Sequence, residues 1–173
     1  MILSFSYSSL TLYICSNILL FLDDTDGDDY DDYTCNMGNG GAFSDAGSDF
    51  CFNAAKTFHT EWYSALSGYV NPLNSNVDMN LVGIDDVYND RNQDGQKLAT
   101  RIRGTNEVDL YMIFNRKKGI NGEVEGDADT VHIVQQRTLS SISLIKAALG
   151  ANQSYTQTNW GGGTNSLIIK VCR

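Results

Sequence analysis

The sequence predicts an α+β fold, mostly β, in which one helix precedes an antiparallel β-sandwich or jelly-roll-like domain. Three observations predict it. Apolar residues recur at three-four spacing between Phe52 and Leu66. From about Leu81 onward the apolar period changes to two. Turn dipeptides then punctuate the chain at short intervals, with Gly far more common than the single Pro.

The elements follow in order. Met1 to Leu22 carry no charged side chain and are mostly Leu, Ile, Phe and Tyr. That length reaches the roughly 20 residues needed to cross a bilayer, and Leu10 to Leu22 has the length of a signal-peptide core. A basic start and small residues at a cleavage site are missing. Residues 1–22 therefore read as a secretion signal or membrane anchor, giving membrane contact, or as a non-native extension. Residues 23–34 read as an acidic linker, with seven Asp between Asp23 and Asp32. Residues 36–49 are turn chemistry throughout, so residues 35–66 read as a loop followed by a helix. Ser48 or Asp49 can cap that helix, Phe52, Ala55, His59, Trp62 and Leu66 make its apolar stripe, and Gly68 can end it.

Residues 67–173 read as the β-rich domain. LVGIDDV, KLATRIR, DLYMIF, TVHIVQQ and SLIIKVC are rich in β-branched and aromatic residues and read as strands. Asp94-Gly95, Lys118-Gly119, Asn121-Gly122 and Gly161-Gly162-Gly163 mark turns, and loops of these lengths suit antiparallel hairpins. Ser143 to Leu149 reads as a short helix before a further strand from Ser154 to Trp160.

Charge narrows the function classes. The net charge is −9, yet the first 55 residues hold nine acids and no Lys or Arg, while the rest holds twelve of each sign. Nucleic-acid binding needs clustered cations to neutralise phosphate, so no nucleic-acid partner is expected. Arg116-Lys117-Lys118 is the one basic cluster and reads as a solvated turn.

Site chemistry is sparse. There is no GxSxG elbow, and Gly38-Asn39-Gly40-Gly41 lacks the Lys of a phosphate loop. The cysteines are Cys15, Cys35, Cys51 and Cys172, without a CxxC pair. In a secreted chain Cys35–Cys51 is the preferred disulfide, with Cys51–Cys172 as the alternative. Asn152-Gln153-Ser154 is a glycosylation sequon. Asp90, Asn92 and Asp94, with Gly95 behind them, match the first half of a calcium loop. Arg101 stands where that loop needs a bidentate Glu, so a turn closed at Asp94-Gly95 is the preferred reading. Glu123, Glu125, Asp127 and Asp129 read as a solvated edge that resists pairing. Trp160 reads as a hairpin aromatic before a sugar-stacking platform. His59 and His132 are the only histidines. Both read as core or boundary residues, because a catalytic zinc site needs three protein ligands.

Beyond these local patterns, YTCNMGNG, an acidic Ser-Asp stretch and CFNAAKTFHTEWY resemble the segment that follows the zinc helix in gametolysin-like metallopeptidases of the metzincin clan. LVGIDD, DLYMIFNRKKGING, GDADTVHIVQQ, ALGANQSYTQTNW and SLIIKVC fit the same pattern, so the resemblance runs from about Tyr30 to Arg173. It implies that Met37 is the methionine of a Met-turn, the apolar floor beneath zinc-bound imidazoles. It also implies action on cell-wall or extracellular-matrix glycoproteins, in a family whose full-length members use zinc; with residues 1–22 read as a signal or anchor, the expected location is extracellular or membrane-anchored. The chain departs from the pattern in one respect. The family binds zinc through the two His of HExxH on an upstream helix, with the Glu activating water, and no histidine precedes Met37 here. The expectation is therefore a C-terminal portion with no zinc ligands and no catalytic residue of its own. The alternative is a secreted or anchored β-sandwich module that binds glycans or calcium.

Overall fold

The computed structural model describes residues 10–14, 52–71, 77–89, 95–104, 108–122, 127–137, 143–160 and 164–172. In chain order these contain β1 (Leu10–Ile14), α1 (Ala54–His59), β2 (Ser67–Val70), β3 (Asn80–Leu81) and α2 (Ile84–Asn89). They continue with β4 (Gln96–Lys97), β5 (Ala99–Ile102), β6 (Asp109–Asn115), β7 (Thr130–Gln136), β8 (Ser143–Leu149), β9 (Ser154–Gln157) and β10 (Leu167–Val171). The fold is α+β and mostly β, as the change of period predicts.

The main sheet has the order β2-β5-β6-β7-β8, a second sheet the order β1-β10-β9, and β3 pairs with β4. β5 to β8 form an antiparallel meander, and β9–β10 is also antiparallel. Three pairs depart from the antiparallel expectation: β1–β10, β2–β5 and β3–β4 are parallel. A parallel pair needs a crossover rather than a tight turn, and the stretch carrying β3, α2 and β4 supplies it between β2 and β5.

Strand alternation divides the core into two. Ile102, Leu110, Met112, Val131 and Ile133 of the main sheet pack with Leu167, Ile169 and Val171 of β10, so the two sheets share one apolar layer. The other face of the main sheet sends Tyr111, Ile113 and Val134 against Ala54 and Ala55 of α1, with Ile84 and Val87 of α2 at the side. The middle strands are thus buried on both faces, which explains why β6 and β7 read as nearly continuous apolar runs.

Three elements differ from expectation. The helix is shorter than the apolar stripe suggests and starts from a different cap: the Asn53 side chain accepts from the Lys56 N–H at 2.9 Å. Glu61 has a φ of 57°, which a helix cannot contain, so the chain turns there and makes a short 3-10 turn at Ser64–Leu66. Trp62 consequently leaves the stripe and is 71% exposed. Gly68 lies within β2 instead of ending the helix.

LVGIDDV is not one strand. Only Leu81 joins β3, and α2 begins at Ile84, with Asp85 and Asp86 in a first turn where acids oppose the helix dipole favourably. Gly83 separates the two because a Cβ there would lie 2.6 Å from Arg116 Cβ. Ser143–Leu149 is a strand, not a helix. Its Ala, Leu and Lys favour helix locally, but pairing with β7 along its length outweighs propensity.

Candidate functional site

Chemistry-bearing side chains gather on the main-sheet face beneath α1. Register explains how. Tyr69 pairs with Arg101 across β2–β5, Arg101 with Tyr111 across β5–β6, and Asp109 with Gln136 across β6–β7. Paired residues share a face, so two neighbouring rows of one face carry Tyr69, Arg101 and Tyr111, then Asp109 and Gln136. α1 lies over β5, β6 and β7 and brings His59 onto the same rows. Tyr69, on the edge strand, stays 53% exposed.

Asp109 organises the group. Its carboxylate accepts from Arg101 Nε at 2.7 Å and from the Gly104 N–H at 2.8 Å, and it also pairs with Arg101 Nη2. The Asp109 side chain is nearly buried while that of Arg101 is 31% exposed, so the pair is a brace with one open side. Burial works against the Arg101 charge, but the Asp109 hydrogen bond and the charge interactions with Tyr111, Asp109 and Tyr69 together outweigh it and hold the guanidinium pKa above its ordinary value. The guanidinium carbon lies 5.8 Å from the Tyr69 ring centroid, within cation–π range.

The inner end is aromatic. His59 meets Tyr111 with ring centroids 5.1 Å apart, and Phe58 meets Tyr111 edge-on at 5.6 Å. Burial pushes the Tyr111 phenol up to about 12. Burial, helped by the nearby Arg101 charge, holds the His59 pKa below its ordinary 6.5; Asp109 and the neighbouring Gln136 amide pull the other way. His59 Nε2 is buried without a hydrogen bond of normal length. At neutral pH the group therefore holds one ion pair of zero net charge, a neutral imidazole and a protonated Tyr111 phenol. Tyr111 is closed off from the surface, while Tyr69 and Arg101 reach it, and an aromatic ring beside a fixed donor suits stacking and hydrogen bonding to a neutral hydroxyl-bearing molecule. The group has no activated nucleophile.

The residues singled out in the sequence are placed as follows. Met37, Cys35, Cys51, Asp90, Asn92, Asp94, Glu123 and Glu125 lie outside the described residues. The turn reading at Asp94-Gly95 is corrected in one respect: the segment joins α2 to β4, and β4 pairs in parallel with β3, so it does not close a hairpin. Cys172 is a free thiol, its pKa raised by burial; Cys51, its alternative partner, lies outside the described residues. Asn152 is exposed on the turn between β8 and β9, with a φ of 64°, and Ser154 of the sequon is exposed beside it.

His132 is 3% exposed, and its Nε2 lies 3.3 Å from the Asp127 carbonyl. It pairs with Ile113 of β6. Among the described residues no group of three or more His, Cys, Asp or Glu could hold a metal ion.

Asp127 and Asp129 are turn residues with φ of 51° and 56°. Asp129 accepts from the Lys117 N–H at 3.0 Å. Arg116 and Lys118 are not simply solvated: Arg116 Nη1 lies 2.5 Å and Lys118 Nζ 3.0 Å from Asp86. Trp160 packs at the margin of the core between the sheets, its indole N–H buried. No helix among the described residues is long and apolar enough to cross a membrane; five residues of the uncharged front form β1.

The Tyr69–Arg101–Asp109–Tyr111 group is the feature sequence reasoning missed. The available signal was small: Asp109 opens an otherwise apolar strand, and Arg101 interrupts another. Fold and site together define an α+β body, its two larger sheets packed on one core, carrying a helix-covered polar group. No family model, curated protein or solved structure matches the chain.

Proposed function

We propose that the chain is the C-terminal portion of a gametolysin-like zinc metalloendopeptidase that acts on cell-wall or extracellular-matrix proteins, and that it does not hydrolyse peptides alone. The observation that carries this reading is the distributed resemblance from Tyr30 to Arg173, with Met37 as the Met-turn methionine. The chain has two histidines, against the three ligands a catalytic zinc requires. Each is engaged elsewhere, His132 at the Asp127 carbonyl and His59 against Tyr111. In this reading the zinc belongs to the catalytic half of the family, and the α+β body serves attachment or stability outside the cell.

Zinc titration by calorimetry together with a peptide-hydrolysis assay tests it. The expected result is no tight stoichiometric site and no cleavage. A stoichiometric site with proteolysis overturns it.

A second reading, a glycan-binding module, is favoured by one observation: the exposed Tyr69 ring stands beside a guanidinium that Asp109 holds still. Aromatic faces flanked by fixed hydrogen-bond donors suit sugar rings. A glycan array on the full chain checks it. Specific binding that Tyr69→Ala abolishes supports the module, and an array without a specific signal removes it. The calcium form of this reading rests on Asp90, Asn92 and Asp94 alone.

A further inference from the structure

The most buried strand of the second sheet depends on a strand from far away in the chain. Leu167, Ile169 and Val171 of β10 are 0–1% exposed in the layer between the sheets. β9 pairs with one edge of β10, from Leu167↔Gln157 to Lys170↔Ser154. The other edge is taken by β1 in parallel, from Leu10↔Leu167 to Ile14↔Val171. Without β1, β10 would present an apolar, β-branched edge with unpaired backbone groups, the kind of edge that recruits another strand.

Among the described residues, β1 pairs with β10 alone. A parallel strand cannot be tied by a tight turn, and thirty-nine residues separate Ile14 from Ala54. An identical strand on a second molecule makes the same ladder, with no new contact required.

We propose that Leu10–Ile14 is an exchangeable strand, and that the free edge of β10 takes it from a second copy of the chain as well as from its own, giving a strand-swapped dimer. The partner is a second copy because the only sequence known to fit this edge is the chain's own. The inference stands apart from the peptidase reading, since it rests on register and topology alone.

Register supplies the test. Thr11 and Ile168 are paired across the ladder, and paired strand residues lie close enough for a disulfide. Full-length chains carrying Thr11→Cys or Ile168→Cys are prepared separately, mixed and oxidised, beside the parent chain and each variant alone to account for the natural cysteines. The expected product is a disulfide-linked species of twice 19.1 kDa, several-fold more abundant in the mixture than in any control and rising with protein concentration. Adding Leu12→Pro to the Thr11→Cys chain should return it to the control level, since proline removes a strand donor. Amide protection in β6 and β7 checks that this chain still folds. A chain bearing both cysteines that closes only on itself, with no linked dimer in the mixture, overturns exchange. Absence of any link in either arrangement overturns the pairing itself.

Discussion

Asp109 answers three donors from a nearly buried position: two nitrogens of Arg101 and the backbone N–H of Gly104. Asp109→Ala leaves the Gly104 donor unpaired and the half-buried Arg101 cation without its counter-charge. A lost charged hydrogen bond costs about 1.5–3 kcal/mol, and the open side of Arg101 keeps the cost within that range. Urea unfolding should show a loss of about 2 kcal/mol, with Arg101→Met costing at least as much because it strands the nearly buried Asp109 carboxylate without its counter-charge. A loss for Asp109→Ala no larger than the roughly 0–1 kcal/mol of an exposed ion pair would mean that the carboxylate does not brace the Gly104 turn. His59 supplies the pH dependence. Its folded pKa lies below the ordinary 6.5, chiefly through burial and the Arg101 charge, with Lys56 adding to them and Asp109 and Gln136 opposing. The unfolded chain therefore takes up the proton first as pH falls. Stability should begin to drop below about pH 6.5 and keep falling until the lowered folded value is passed. His59→Gln should flatten that part of the stability profile, and an unchanged profile would rule the residue out. Neither feature was visible in the sequence, because both arise from cross-strand register and from where α1 lands, which single-chain periodicity does not encode.

Elements were legible where their own residues decided the outcome. β6 and β7 carry β-branched and aromatic residues on both faces and are buried on both, so pattern and packing agree. Ser143–Leu149 failed for the opposite reason. Its composition favours helix, and only the neighbouring strand makes it β8. α2 was hidden because Ile84 and Val87 also fit part of an alternating pattern, while their three-residue spacing is what packs them on the helix side of the core. In α1 the existence of a helix was legible and its start was not, since Asn53 competes with Ser48 and Asp49 as a cap. Asn53 does two things: its oxygen caps the helix, and its Nδ2 donates to Ser143 Oγ at 2.7 Å, tying α1 to the first residue of β8. A cap alone is worth about 1 kcal/mol. Asn53→Ala should cost about 2 kcal/mol by thermal or urea unfolding, because the buried Ser143 hydroxyl loses its donor as well. Ser143→Ala keeps the cap and removes the tether, so its cost should be smaller than that of Asn53→Ala. An Asn53→Ala cost no larger than that of a surface cap would leave the tether without energetic weight.

At the scale of the whole molecule, the main sheet joins a sheet-facing layer and a helix-facing layer, and adjacent residues of one strand serve different layers. Ile133 and Val134 of β7 are both 0% exposed, the first packed toward β10 and the second toward α1. Beside them the register with β8 shifts, from Ile133↔Ala147 to Val134↔Ile145, so the extra residue, Lys146, bends β8 while β7 stays regular against β6. If the shared strand makes one cooperative unit, damage on either face must lower the same transition. Truncating a buried Ile to Ala costs about 2–5 kcal/mol, and Val to Ala somewhat less because fewer methyl groups leave. Ile133→Ala and Val134→Ala should each shift a single unfolding midpoint, followed identically by far-ultraviolet dichroism and by tryptophan fluorescence. The fluorescence probes differ usefully: Trp160 packs at the layer between the sheets, while Trp62 stacks on Phe52 beside α1 with ring centroids 5.8 Å apart. In Val134→Ala, early loss of the Trp62 signal with Trp160 still native would mean that the helix layer detaches by itself. Coincident loss of both would mean that the helix is held by the same strands that hold the second sheet, so that the polar group beneath α1 lasts only as long as the whole fold.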